Sequence, residues 1–302
     1  MAHSALPFLP DTVESVMDRA CRRIGLDPAG AHRMRVGENM LFQLASAPVI
    51  VRVARGPGHW DDAVKEVAVA DWLAAQRFPA ARTYIAADRA QPIDIEGYPV
   101  TFWQQILGRA GGLGDAGALG GLLKRLHQLG RPSGFRLPTV EGFGHVPERL
   151  AASPVSAADK DFMRRRVAEL QHDLHRLEFR LPEVAVHGDA HIANLMIEPS
   201  GSAVLIDLEA FAWGHAEWDL AKTAAEAAMG MHEEGGYEAF VAAYGYDVTS
   251  WSGWSVLKAV MQLKMVTWLA QNVGQAPRIK AEYEKRIQTI RTGVLSEPWR
   301  GL

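Results

Sequence analysis

Two stretches constrain this 302-residue chain more than anything else in it. Val186-His187-Gly188-Asp189-Ala190-His191-Ile192-Ala193-Asn194 is followed, after a short interval, by Val204-Leu205-Ile206-Asp207-Leu208-Glu209. An Asp and an Asn five apart, a His two before the Asp, and then an apolar run ending on a second Asp have the spacing of a phosphoryl-transfer loop and the metal-binding strand after it. That chemistry asks for positioning and charge neutralisation. One carboxylate orients an incoming hydroxyl, and two oxygen ligands hold magnesium. The plainer reading of the same residues is a polar turn between two strands. His187 and His191, each beside a strand, are expected to buttress the loop.

HGDxHxxN followed by IDxE resembles the signature of the aminoglycoside phosphotransferase and choline kinase family, whose fold is similar to that of protein kinases. The resemblance implies an α+β, two-lobed protein-kinase-like fold, with a small antiparallel-sheet N-lobe and a larger, mainly helical C-lobe. It implies Asp189 as the catalytic carboxylate, Asn194 and Asp207 as Mg2+ ligands, and ATP or GTP as phosphoryl donor. The later Gly214…Asp219-Leu220-Ala221 resembles the family's segment in which a second Asp braces the catalytic loop from a helix start. The match spans most of the chain, but its specific motifs lie in 187–219 and, more loosely, in 37–66.

At 48 % apolar and 22 % charged residues the composition is that of an ordinary globular protein, long enough for two lobes. A net charge of -3 argues against nucleic acid as partner. The single cysteine, Cys21, rules out an internal disulfide framework. The first ten residues lack the basic and apolar regions of a signal peptide, and no apolar run is long enough for a membrane span. A cytoplasmic protein, monomeric or homodimeric, is expected.

Asp11 to Ile24 reads as a helix, and two strands around a Gly37 turn, 34–44, are followed by a third at 48–53. The loose turn with Gly37 and Asn39 resembles the family's nucleotide loop, although a plain hairpin explains it equally. In Val49-Ile50-Val51-Arg52 an Arg stands where protein kinases carry Lys. A guanidinium still grips phosphate oxygens, as a fork rather than a point charge. Strand alternation sets Arg52 opposite Val49, Val51 and Val53. Helix 61–76 puts Glu66 on one stripe with Val69, Ala70 and Leu73, where it needs a partner, and Arg52 is the natural one. Tyr98 to Ile106 reads as the last small-lobe strand entering a hinge, with backbone groups from Gln104 to Ile106 meeting the adenine edge. The lobes are therefore divided as 1–105, binding nucleotide, and 106–302, binding the acceptor.

Beyond the hinge, helices are expected at 115–129, 157–177, 256–272 and 280–291, with an irregular Pro- and Gly-interrupted excursion over 131–154. From Asp207 to Ser250 nine acidic residues face one base, Lys222. An acidic segment at this place points to a cationic acceptor, with Glu209, Glu217, Glu233 and Glu234 as candidate contacts. A solvated acidic surface is the alternative. The reading is a small-molecule kinase acting on a hydroxyl of an aminoglycoside or other cationic antibiotic, with antibiotic resistance as a role. An amino sugar, a choline-like amino alcohol or a nucleoside is the alternative acceptor. Two rivals differ in class: a metal-dependent hydrolase using His187, Asp189 and His191, and a catalytically silent nucleotide-binding module.

Overall fold

The computed structural model describes residues 9–36, 39–84 and 90–301, so Gly37 lies outside the described residues. These fall into two compact units. The first draws on Met1–Ala110, Pro132–Leu137 and Asn194–Phe211, and the second on Gly111–Arg131, Pro138–Ala193 and Ala212–Leu302. Where the sequence suggested a single division at 105, the chain returns to the first unit for 194–211.

The first unit starts with α1 (Pro10–Arg23), where Pro10 sits in the opening turn and needs no helical N–H partner. Val13, Val16, Met17 and Ala20 recur at helical spacing and are buried. Strands β1 (His32–Val36), β2 (Asn39–Gln43) and β3 (Val49–Ala54) come next, then helix α2 (Trp60–Ala75) and strands β4 (Ile93–Ile95) and β5 (Tyr98–Gln104). They form an antiparallel sheet in the order β1-β2-β3-β5-β4. The strand period of two decides which face each β3 side chain takes. Val49, Val51 and Val53 enter the core with Val13, Val16, Phe42 and Phe102, while Ile50 and Arg52 are half-buried on the other face. On α2 the buried stripe is Ala63, Glu66, Val69, Ala70 and Leu73. A second small sheet pairs Leu195–Ile197 with Ala203–Leu205 and with Arg109–Ala110.

The second unit is mainly helical: α3 (Ala116–Leu126), α4 (Val146–Ala152), α5 (Ala157–Leu174), α6 (Glu217–Ala228), α7 (Gly236–Tyr244), α8 (Trp254–Ala270) and α9 (Pro277–Thr292). Helix α8 is its centre, packing against α4, α5, α6 and α9, while α3 lies against α7. A two-stranded antiparallel ribbon, Glu183–Val186 with Ala212–His215, leads into the loop carrying Asp189. The mixture of an antiparallel sheet and a helical part is the fold class expected. The stretch 131–154 is not wholly irregular, because α4 lies in it. Pro147 falls in the helix's first turn, where proline is tolerated, and Val146 and Leu150 are buried.

Two neighbouring glycines test the α3–α7 packing. A Cβ on Gly120 would stand 2.4 Å from the Phe240 carbonyl oxygen, whereas one on Gly121 would meet nothing within 4 Å. Gly120→Ala is expected to lower stability by about 1–3 kcal/mol through overpacking. Gly121→Ala should raise it by about 0.5–1 kcal/mol through helix propensity. Urea denaturation of both variants checks this, and equal shifts of the same sign would count against the packing.

Candidate active site

In the second unit the loop bearing Asp189 is held by its backbone. Asp219, fully buried in the first turn of α6, accepts the N–H groups of His187 and Gly188, each at 2.8 Å. His127 Nε2 meets the same carboxylate at 3.0 Å, and His127 Nδ1 meets the Tyr244 hydroxyl at 2.9 Å. Gly188 takes φ +81°, a left-handed conformation that favours glycine. The buried His187 ring accepts the Asp189 N–H on Nδ1 at 3.3 Å. Its side chain thus supports the loop from within, as the sequence suggested.

Asp189 itself is 46 % exposed, so a ligand can reach it. Lys222 Nζ stands 3.3 Å from its Oδ1, and His191 Nε2 stands 3.5 Å from its Oδ2. Crowding disfavours the charged form, but Lys222, with His191, outweighs it and holds the carboxyl well below the usual carboxylate range. Lys222 also lies 3.6 Å from Glu226, whose other oxygen is 3.7 Å from His232 Nε2.

The first unit gathers a separate set. The Arg52 guanidinium bonds both carboxylate oxygens of Glu66 and, through Nη2, Glu209. Asn39 Nδ2 donates to the same Glu209 at 3.2 Å. Burial works against the Arg52 charge, but Glu66, Glu209 and Asp207 together raise its pKa further. Glu66 is pushed up to about 7, because burial and the two other carboxylates outweigh Arg52. Asn194 and Asp207 flank the small antiparallel pair, whose register joins Leu195 to Leu205, and the Ile206 N–H donates to the Asn194 carbonyl at 2.9 Å. This puts the two residues on adjacent strand ends. Asp207 has φ +63°, a left-handed backbone uncommon for a residue other than glycine and a mark of functional loops. A carboxamide and a carboxylate on neighbouring turns are hard oxygen donors and fit magnesium, which takes few protein ligands.

Several expectations change. Glu209 bonds Arg52 and Asn39 in the first unit, so it is not free for an acceptor. Glu217 is 0 % exposed and accepts the N–H groups of Arg180 and Leu181, which makes it a brace rather than a ligand contact. Glu233 and Glu234 are exposed. The Gln104 N–H donates to the Arg82 carbonyl and that of Gln105 to the Pro48 carbonyl, so these two N–H groups are taken; Ile106 is half-buried just beyond. Among the described residues no group of three or more His, Cys, Asp and Glu side chains could hold a metal ion, against the hydrolase reading of His187, Asp189 and His191. The roles of His127, Tyr244 and Lys222 were not read from sequence. They lie 33 to 117 residues from their partners, and no local pattern announces the contacts.

The family profile described as "Phosphotransferase enzyme family" matches residues 37–260. Among solved structures, the chain is similar to the amicoumacin kinase hAmiN in complex with AMP-PNP, Ca2+ and Ami, at a TM-score of 0.75 and 13 % identity, covering 95 % of this chain and 97 % of that one. It is also similar to the choline kinase LicA from Streptococcus pneumoniae, at a TM-score of 0.65 and 16 % identity, covering 93 % and 99 %. A third similar structure is a microcompartment-associated aminopropanol kinase, at a TM-score of 0.70 and 19 % identity, covering 92 % and 94 %. No curated protein matches significantly. No helix among the described residues is long and apolar enough to cross a membrane.

The Arg52–Glu66 contact gives a measurable coupling. A double-mutant cycle with Arg52→Met and Glu66→Gln, followed by chemical denaturation, is expected to show an interaction of about 1–3 kcal/mol. Additive losses would mean that the two side chains do not pair.

Proposed function

The chain belongs to the phosphotransferase enzyme family, and on that premise we propose that it transfers the γ-phosphoryl group of ATP, with magnesium, to a hydroxyl of a small polar molecule. The observation that carries this reading is the Asp189 carboxylate: ionised, reachable, and fixed on a loop whose backbone Asp219 anchors. Such a group orients a hydroxyl and accepts its proton as the phosphoryl group moves. Arg52, steadied by Glu66, would grip triphosphate oxygens with its planar fork. Asn194 and Asp207 would hold the metal, which supplies charge neutralisation to the phosphates when bound. Phosphoryl transfer demands little covalent chemistry from a protein, so these positioning and charge roles suffice. GTP as donor calls for the same residues. A site in the cytoplasm, where nucleoside triphosphates are available, suits this activity.

The acceptor divides between a cationic antibiotic, with resistance as the outcome, and a metabolite such as an amino sugar or amino alcohol. Of the four acidic residues first associated with a cationic acceptor, the exposed Glu233 and Glu234 remain open to one. Turnover against a panel of hydroxylated antibiotics, amino sugars and amino alcohols tests the function and sorts these acceptors.

Asp189→Ala is expected to abolish transfer while nucleotide still binds, whereas Asp207→Ala should weaken magnesium–nucleotide binding itself. Isothermal titration beside a turnover assay separates them. Loss of only a few fold in turnover for the first, or unchanged affinity in the second, would remove the assigned role.

Lys222→Met bears on pH. The cation holds the Asp189 pKa down, so its removal raises that pKa and keeps the carboxyl protonated to higher pH. The acidic limb of the kcat/KM profile should therefore move upward in pH, while Lys222→Arg keeps it low. An unmoved limb would show that Asp189 does not titrate in the reaction.

A further inference from the structure

Within the second unit a chain of five titratable side chains runs through the Asp189 loop. His191 Nε2 lies 3.5 Å from Asp189 Oδ2, and Lys222 Nζ lies 3.3 Å from Oδ1 of the same carboxylate. One turn further along α6, Glu226 Oε1 stands 3.6 Å from the Lys222 ammonium, and His232 Nε2 stands 3.7 Å from Glu226 Oε2. The Glu226 and His232 side chains are largely buried, so the lysine is backed by a carboxylate that solvent scarcely reaches. On its other side it meets Asp189, which is exposed enough to receive a ligand. An ammonium carries three donors. Asp189 and Glu226 account for two of them, and among the described residues no third acceptor is paired with Lys222.

A lysine in this place conflicts with the simplest view of Asp189 as a proton acceptor, because a cation set against a base weakens it. Burial also works against the Lys222 charge, and Asp189 and Glu226 more than restore it, so the group stays an ammonium. Phosphoryl transfer resolves the conflict. It asks for stabilisation of the charge spread over the equatorial oxygens more than for a strong base. The acceptor oxygen lies about 2.6–3.2 Å from the carboxylate that takes its proton, and the phosphorus becomes joined to that same oxygen. An ammonium 3.3 Å from that carboxylate therefore stands beside the group being transferred. We propose that Lys222 is a further catalytic residue, whose ammonium donates to an oxygen of the phosphoryl group as it reaches the acceptor, and that Glu226 is the positioning residue that holds the lysine there. This rests on the kinase reading above. In the step, the bond from the γ-phosphorus to the oxygen it shares with ADP breaks, its electron pair leaves on ADP, and a bond to the acceptor oxygen forms. The hydroxyl proton passes to Asp189, and Lys222 keeps its own protons throughout.

The test uses any acceptor that the wild type phosphorylates, at a pH above the acidic limb, where the ionisation of Asp189 no longer contributes. ATP is compared with its γ-thio analogue, which puts a sulfur on the transferred group and so disturbs an ammonium–oxygen contact there. Lys222→Met should lower kcat on the order of a hundredfold, with acceptor KM and ATP affinity changed by no more than about threefold. The ratio of ATP to thio-ATP turnover should shrink at least about threefold in this variant, because the contact that sulfur disturbs is already gone. Lys222→Arg should recover part of both, and Glu226→Gln should lower kcat less than Lys222→Met does. If Lys222→Met fails to fold, as read by lost magnesium–ATP binding, Lys222→Gln carries the same measurements. An unchanged thio ratio, whatever the fall in kcat, would mean that the lysine only supports Asp189, and would overturn the proposal with the kinase reading intact. So would a defect confined to acceptor KM. A wild type that binds ATP yet transfers to no hydroxylated acceptor would overturn the kinase reading and the proposal with it.

Discussion

The buried carboxylate of Asp219 is the interaction on which the Asp189 loop depends. A charge with no exposure survives only if donors replace the water it has lost, and here they are two consecutive backbone N–H groups and a histidine. The position helps, since the first turn of α6 presents the positive end of a helix to the acid. Because the donors are main-chain groups of His187 and Gly188, satisfying Asp219 dictates the path of the loop just before Asp189. Through His127 and Tyr244 the same carboxylate links α6 to α3 and α7. A loop with almost no regular structure of its own thus takes its rigidity from three helices.

What was legible in the sequence was what local periodicity or motif spacing encodes. Alternation in Val49–Val53 and the i, i+3, i+4, i+7 stripe on α2 placed Arg52 and Glu66 on their faces, the likeness to the Lys–Glu pair of kinases joined them, and the two do form an ion pair. The Asp219 brace followed from the resemblance of Gly214…Asp219-Leu220-Ala221 to the family's segment. Composition failed over the acidic segment. Nine acidic residues in forty-four suggested a field aimed at a ligand, but charge counts cannot tell a side chain turned inward from one turned outward. Glu217 is held by backbone donors, Glu226 pairs with Lys222, and Asp247 accepts from Thr249 and Tyr237. Short elements were also lost: α4 has a proline in its first turn, and the strand Ala212–His215 contains Gly214. Lys222 was invisible as a partner of Asp189 because only tertiary packing brings α6 to the loop.

The two units treat their carboxylates differently. In the first, one guanidinium answers Glu66 and Glu209 while Asp207 adds to the same negative field, and burial together with these carboxylates lifts Glu66 to about 7. A field of that sign would suit a divalent cation at Asn194 and Asp207, the residues proposed to hold it. In the second, Lys222 and His191 stand beside Asp189, and the carboxyl stays ionised for that reason. The local field at Asp189 is therefore set by side chains a few ångströms away, and not by the acidic composition of the segment between Asp207 and Ser250.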